Sequence, residues 1–329
     1  MARPTTALTT LRPDLGEYVE FNLPADRDGY IGHLVLPHLP VDRQAGTYPV
    51  IPKEELLTRR PDMKRAAGSG FNRTTMRFDA KTYSTQQYGI EELVDKRQRE
   101  MYADYLDAEK YASMRSMHNT LKEAEYRVAE AVFNATTYTG AALTTAVSIP
   151  WSTHATATPL DDIEAAFAKV WDGTGLLPNA LIVSWKLFRH LRLCAQVVDK
   201  IASSGAGSSV EPGKITAAQL ATVFALKQVI VAGGTGNVAT TVDGFTPATI
   251  WDSTKAMVAR IPETRDVFEP GLGRTFQWNE GSNGNGEARL LVEMYEEPQT
   301  RGNVYRVLHD VEEKLIYPEC GHLLTAVDV

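Results

Sequence analysis

The residues whose types and spacing could do chemistry form few groupings. His33 and His38 stand five positions apart in an apolar stretch. A helical zinc site places its histidines at i and i+4 on one face, so this pair lacks the required spacing. The other histidines, His118, His154, His190, His309 and His322, are scattered without a ligand pattern. Gly233-Gly234-Thr235-Gly236 follows an apolar run and raises the question of a dinucleotide loop. Such a loop needs G-x-G-x-x-G opening a helix, and the following NVATTVDG is not helix-like; the segment reads as a surface loop. Adjacent carboxylates occur at Asp161/Asp162 and Glu312/Glu313. The first pair falls where a helix N-terminus is expected and suits its positive end. The second falls on an expected strand, where neighbours point to opposite faces and cannot share a proton. No G-x-S-x-G, Walker A or H-E-x-x-H occurs. The reading is therefore no catalytic residue, no cofactor-binding residue and no metal ligand.

Cys194 and Cys320 are far apart and form no C-x-x-C. They are expected as reduced thiols packed as small hydrophobes, in keeping with a reducing compartment. Net charge is −7 and the pI is near 5.6, which argues against a general nucleic-acid binder. One segment runs against that balance. Arg59, Arg60, Lys64, Arg65, Arg73 and Arg77 face only Asp62 between positions 59 and 77, whereas positions 293–329 carry eight acids and three bases. A basic loop on an acidic chain has three readings: a solvated surface, a contact with an acidic surface of another subunit, or a nucleic-acid contact.

Several elements must position these residues. Residues 1–30 hold Pro4, Pro13 and Pro24 and read as an extended arm. The apolar run from Ile31 to Leu36 reads as a strand ended by Pro37 and Pro40. Residues 46–89 read as a long β-hairpin around a Gly68-Ser69-Gly70 loop. Its return limb alternates Met76, Phe78 and Ala80 against Arg77, Asp79 and Lys81. Residues 91–139 contain no Gly or Pro and predict a helix of about 40 residues, about 60 Å long. Its apolar seam is Met114, Met117, Leu121, Ala124, Val128 and Ala131, with charge pairs Glu92/Lys96 and Glu123/Arg127 at i,i+4. The seam is either a core face or a homotypic coiled coil.

A helix starts at Thr158-Pro159, with Thr158 as N-cap. NALIVS then predicts a buried strand, 186–201 a helix, 216–225 another helix, and QVIVAGG a strand. The remainder is strand-rich: ATIWD, AMVARI, ARLLVEMYEE and NVYRVLHDVEEKLIY, with WNEGSNGNGEA as a long hairpin tip. The fold class is α+β. Composition is ordinary globular, at 43% hydrophobic and 23% charged, and 329 residues suffice for two subdomains. No apolar run is long enough for a transmembrane helix, and the start lacks a signal-peptide core.

This order of parts resembles the major capsid proteins of tailed bacteriophages, the Hong Kong 97-type fold that encapsulins share. YIGHLVLPHLPVDRQAGTYPVIPKEEL resembles the approach to that family's extended loop, and WDGTGLLPNALIVSWKLFRHL its axial helix-loop-strand. VIVAGG, ATIWDSTKAMVARIPE and RVLHDVEEKLIYPECGHLLTAV are similar to its later strands. The resemblance implies an N-terminal arm at 1–30 and an extended loop at 46–89. It implies a peripheral domain with a spine helix at 31–45, 90–137 and 256–314, and an axial domain at 138–255 and 315–329. A projecting loop is implied at about 275–288.

The implied function is a non-enzymatic shell subunit that assembles through hexamers and pentamers around double-stranded DNA. Mild repulsion between an acidic wall and packaged DNA would suit that role. Implied partners are further copies, a separate scaffolding protein, a portal and a decoration protein, with no membrane. The implied location is the virion, after assembly in the host cytoplasm. Some members join a loop lysine to a neighbour's asparagine; Lys64 lies near the tip, but nothing around it marks it as reactive. An encapsulin compartment, a cytosolic mixed α/β enzyme and a coiled-coil scaffold are the alternatives.

Overall fold

The computed structural model describes residues 10–11, 29–59, 63–65, 67–71, 73, 75, 77–102, 107–203, 211–239, 244–278 and 290–328. The 14-residue strand β14 (Gly302–Leu315) organises the larger sheet. β5 (Gln86–Asp95) pairs antiparallel along one edge, from Gly302↔Asp95 to Val311↔Gln86. On the opposite edge, residues 302–308 of β14 pair with β13 (Leu291–Glu297) and residues 310–315 with β12 (Gly273–Trp278), so these two lie end to end. β2 (His38–Val41) adds parallel to β12, and β1 (Thr10–Leu11) adds to β13.

The second sheet has five strands. Its strands are β6 (Thr144–Ala146), β7 (Ala180–Ser184), β8 (Gln228–Ala232), β11 (Ala256–Ala259) and β15 (Gly321–Thr325). β7, sequence ALIVS, is buried on both faces, as expected of a central strand covered on both sides. One face packs against α5 (Pro159–Thr174), α6 (Trp185–Leu193), α7 (Ala195–Ser203) and α8 (Ala217–Val223), through Ile163, Leu187, Val197 and Leu220. The other face, through Ile182, Ile230 and Met257, meets Val128 and Val132 of α4 (Ala108–Val132). The first half of α4 instead lies on the large sheet, where Ala112 and Met117 meet Tyr305 and Val307. One helix thus bridges the two sheets.

Four expectations from sequence are corrected by the structure. The stretch 91–139 is not one helix. It is the end of β5, α3 (Lys96–Tyr102) and the 25-residue α4, about 37 Å long. Helix-forming composition loses to the ladder that β14 offers, a tertiary override of propensity. The expected i,i+4 pairs are not made either: Glu92 pairs with Arg115, Lys96 with Glu296 and Arg127 with Glu313.

Second, Ile31 to Leu36 is not a strand. α1 (Gly32–Val35) forms there, and the strand starts at His38. Ile31, Val35 and Leu36 are buried at helical spacing, while Leu34 is exposed. Third, the expected helix 186–201 is broken at Cys194, which is extended between α6 and α7. The break lets the chain embrace the 151–157 loop: the Ala195 N–H donates to the His154 carbonyl, and the buried Cys194 thiol faces the Trp151 carbonyl.

Fourth, β3 (Ala45–Val50) pairs with β4 (Asp79–Ser84), as a hairpin there requires, but the return limb has no apolar face: Phe78 and Ala80 are exposed and Tyr83 is the one buried residue of β4. Thr158 occupies the N-cap of α5 with Pro159 in the first turn, as expected, although its side chain makes no capping bond. By contrast, Thr216 and Gln219 form a reciprocal capping box at α8. The expected tip at 278–288 lies outside the described residues beyond Trp278, which ends β12, as does most of the N-terminal arm.

Candidate assembly surfaces

The extended hairpin is built from a fixed base and an exposed tip. At the base, the ring of Phe276 on β12 stacks on Tyr83 at 4.8 Å and meets Tyr48 at 5.0 Å. The Tyr317 hydroxyl accepts from Ile51 N at 3.0 Å. α2 (Lys53–Leu57) leans on the end of α5, where the Lys53 Nζ donates to the Gly173 carbonyl at 3.1 Å. Beyond this, every described residue from Leu57 to Thr82 is exposed.

Of the sequence-derived contact residues, Arg59, Lys64, Arg65, Arg73 and Arg77 all lie on that exposed span, and Arg60 lies outside the described residues. None of the five makes an ion pair with another described residue. The Arg65 guanidinium lies 4.7 Å from the Phe71 ring centre, and its Nε donates to the Ser69 carbonyl. Met63 is 75% and Phe71 71% exposed, so the tip presents apolar as well as cationic surface. Aromatic, Met and Arg side chains are the types enriched at protein interfaces.

The acidic C-terminal stretch does not offer an equal and opposite free surface. Glu293 pairs with Arg306, Glu296 with Lys96, Glu313 with Arg127 and Asp328 with Lys186. Glu123 and Glu130 on α4 are exposed instead. Glu123 lines a cleft of about 400 Å³ between α4 and β5, together with Tyr88, Gly89, Ile90 and Tyr126. Among the described strands β5 pairs with β14 alone.

The groupings that could have done chemistry are engaged structurally. The Gly233 and Gly234 N–H groups both donate to the Gly29 carbonyl, and β9 (Thr235–Asn237), paired with β10 (Pro247–Thr249), follows rather than a helix. Asp162 accepts from the Trp151 indole at 3.0 Å, and Asp161 from the Gln196 amide at 2.9 Å. Glu312 accepts from Ser84 N while Glu313 binds Arg127 on the other face of β14. Both cysteines are free and buried, and burial pushes their thiols up to about 11 at Cys194 and about 12 at Cys320. Among the described residues no group of three or more His, Cys, Asp or Glu could hold a metal ion, and no helix is long and apolar enough to cross a membrane.

Sequence reasoning missed two polar clusters on α4. Glu125 is 3% exposed and accepts from Ile31 N, Gly32 N and the Trp251 indole. A carboxylate set among Leu121, Ala124 and Val128 was the available signal. Two residues on, Arg127 binds Glu313 at 3.0 Å, approaches His309 Nε2 at 3.3 Å and lies over the Tyr88 ring at 3.8 Å. Burial, then the charges of Arg127 and His38, bring His309 down to about 3. Burial, then His33, brings His38 down to about 4.

No protein-family model matches the chain, and no curated protein matches it. Solved structures do. A phage-related protein from Bordetella bronchiseptica RB50 is similar over 97% of this chain and 97% of its own, with a TM-score of 0.69 and 21% identity. The capsid structure of the cyanophage P-SCSP1u matches over 90% of this chain and 87% of its own, with a TM-score of 0.54 and 9% identity. The holo-SrpI encapsulin complex from Synechococcus elongatus PCC 7942 covers 93% and 91%, with a TM-score of 0.52 and 12% identity. At these identities the likeness is one of fold: this chain has the mixed α+β fold found in phage capsid structures.

Proposed function

We propose that the chain is the structural subunit of a tailed-phage head, with the Hong Kong 97-type architecture. The observation that carries this reading is the end-to-end likeness to a phage capsid structure, which leaves little of either chain unmatched. The domain division that goes with this reading is an arm at 1–30, an extended loop at 46–89, a peripheral domain at 31–45, 90–137 and 256–314, and an axial domain at 138–255 and 315–329, with the boundary at 256 moved past β11, which pairs inside the second sheet. Copies would form hexamers and pentamers that close around double-stranded DNA, without sequence-specific binding and without catalysis. A separate scaffolding protein, a portal and a decoration protein are the expected partners, and the virion the expected location. The encapsulin likeness is of the same kind and no stronger, so a cargo compartment remains the second reading.

In physical terms, the loop tip has no core of its own and gains stability by lying on a neighbour. Arg59, Arg60, Lys64, Arg65, Arg73 and Arg77 would steer it by charge. Its receiving surface would be the cleft between α4 and β5, where Glu123 is exposed, rather than the internally paired acidic tail. Electron microscopy of the chain expressed alone, and with a candidate scaffolding protein, tests the function. Closed shells support it; an unassembled chain under both conditions contradicts it.

A further inference from the structure

The helical layer over the second sheet presents two charged, aromatic flanks of opposite sign. α6 carries Lys186, Arg189 and Arg192 and no acid. Its outer stripe runs Trp185, Arg189, Arg192 at i, i+4, i+7, so the three side chains share one face. Trp185 is 53% exposed, and the Arg189 guanidinium lies 5.0 Å from its ring centre. The Arg192 guanidinium lies 4.9 Å from the ring centre of Phe188. Stacked arginines hold a fixed, weakly hydrated cation at the surface.

α5 has the opposite character: Asp161, Asp162, Glu164 and Asp172 against Lys169 alone. Asp161, Glu164, Ala165, Ala168, Trp171 and Asp172 are all exposed and repeat at three-to-four spacing. The two exposed alanines leave little side chain between the acids on this face. Neither Arg189 nor Glu164 pairs with an opposite charge among the described residues.

The two flanks do not meet within one chain. α5 packs against β15 and β11, whereas α6 packs against β7 and β8, and α7 lies between them. A contact joining the α6 flank of one copy to the α5 flank of the next uses two different surfaces, and such head-to-tail contacts close into rings when the rotation allows.

We propose that this is a ring-forming interface between copies: Trp185 and Arg189 of α6 seat on Glu164, Ala165 and Ala168 of α5 in the adjacent subunit. The occupant is a second copy because the complementary stripe is in the same chain. Three cations on a chain of net charge −7 make a poor footprint for nucleic acid. This inference rests on the shell reading and specifies which surfaces close the rings.

The test is a charge swap in the full chain: Arg189→Glu, Glu164→Lys, and both together, compared with the unaltered chain by sedimentation velocity. Both sites are exposed, and circular dichroism with a thermal melt checks that each variant is folded. Each single reversal is expected to lower the assembled fraction by about tenfold or more, the scale of a close charge pair between proteins. The double variant is expected to recover assembly, because every interface then regains one opposite-charge pair. Singles that are folded and assemble normally, or a double variant no better than the worse single, overturn the interface. Unchanged assembly with loss of labelled duplex DNA binding in Arg189→Glu overturns it in favour of a nucleic-acid contact. An unaltered chain that forms no ring or shell contradicts the shell reading itself, a separate outcome.

Discussion

The Glu125 carboxylate on α4 accepts the indole N–H of Trp251 at 2.5 Å while also taking the N–H groups of Ile31 and Gly32 at 2.9 and 2.7 Å. Three segments distant in sequence therefore converge on one buried acid: the start of α1, the long helix, and the strand-rich C-terminal third. A buried carboxylate is tolerated there because donors surround it. Glu125→Ala strands three buried donors and is expected to cost about 3 kcal/mol or more of unfolding free energy. Glu125→Gln, which keeps an acceptor, is expected to cost less. Urea denaturation followed by tryptophan fluorescence measures both.

Acid should weaken the same helix–sheet contact. His38 and His309 have folded-state values lowered to about 4 and about 3, against 6.5 when unfolded. The neutral ring is favoured in the folded state, so this stabilisation is complete above about pH 6.5. It is lost as pH falls, because the unfolded chain takes up protons that the buried rings refuse. Each histidine accounts for on the order of 3 kcal/mol between pH 6.5 and 4. Unfolding free energy measured across that range should fall in the natural chain. It should fall less steeply in His309→Gln.

Gly89 shows why β5 needs a glycine at this position. A Cβ there would lie 2.7 Å from the Val307 carbonyl oxygen and 2.8 Å from the Leu308 Cβ. Gly89→Val is expected to destabilise by about 1–3 kcal/mol through this overlap, even though valine suits strands in general. A shift in the urea midpoint at constant slope reads the effect.

The loop should act through charge. Reversing Arg59, Arg60 and Lys64 together is expected to leave the melting temperature of the unassembled chain nearly unchanged, since Arg59 and Lys64 are exposed. Assembly should slow and lose its salt dependence. Light scattering at two or three ionic strengths follows both. Unaltered kinetics and salt dependence in the reversed chain contradict loop docking by charge.

What was legible in the sequence was local. Pro159 with the Asp pair marked α5, and the apolar run ALIVS marked β7. Each signal lies within a few residues of the element it specifies. β5 was hidden because its Glu-rich, glycine-poor second half has helical composition, and its partner strand begins at Gly302. The Glu125 cluster was hidden for the same reason, with partners 93, 94 and 126 positions away. The hairpin was visible from its loop chemistry and charges, but not that Phe78 and Ala80 would stand exposed. That exposure is unfavourable for an isolated subunit and suits one covered by a neighbour.

The mass of the assembled species tests the shell account most directly. Charge-detection mass spectrometry of the chain expressed alone or with a scaffolding protein gives it without fitting a shape. The account expects rings of five or six 36.3 kDa subunits, or closed particles built from many. A single species of monomer or dimer mass, unchanged across salt, pH and scaffold, would contradict it.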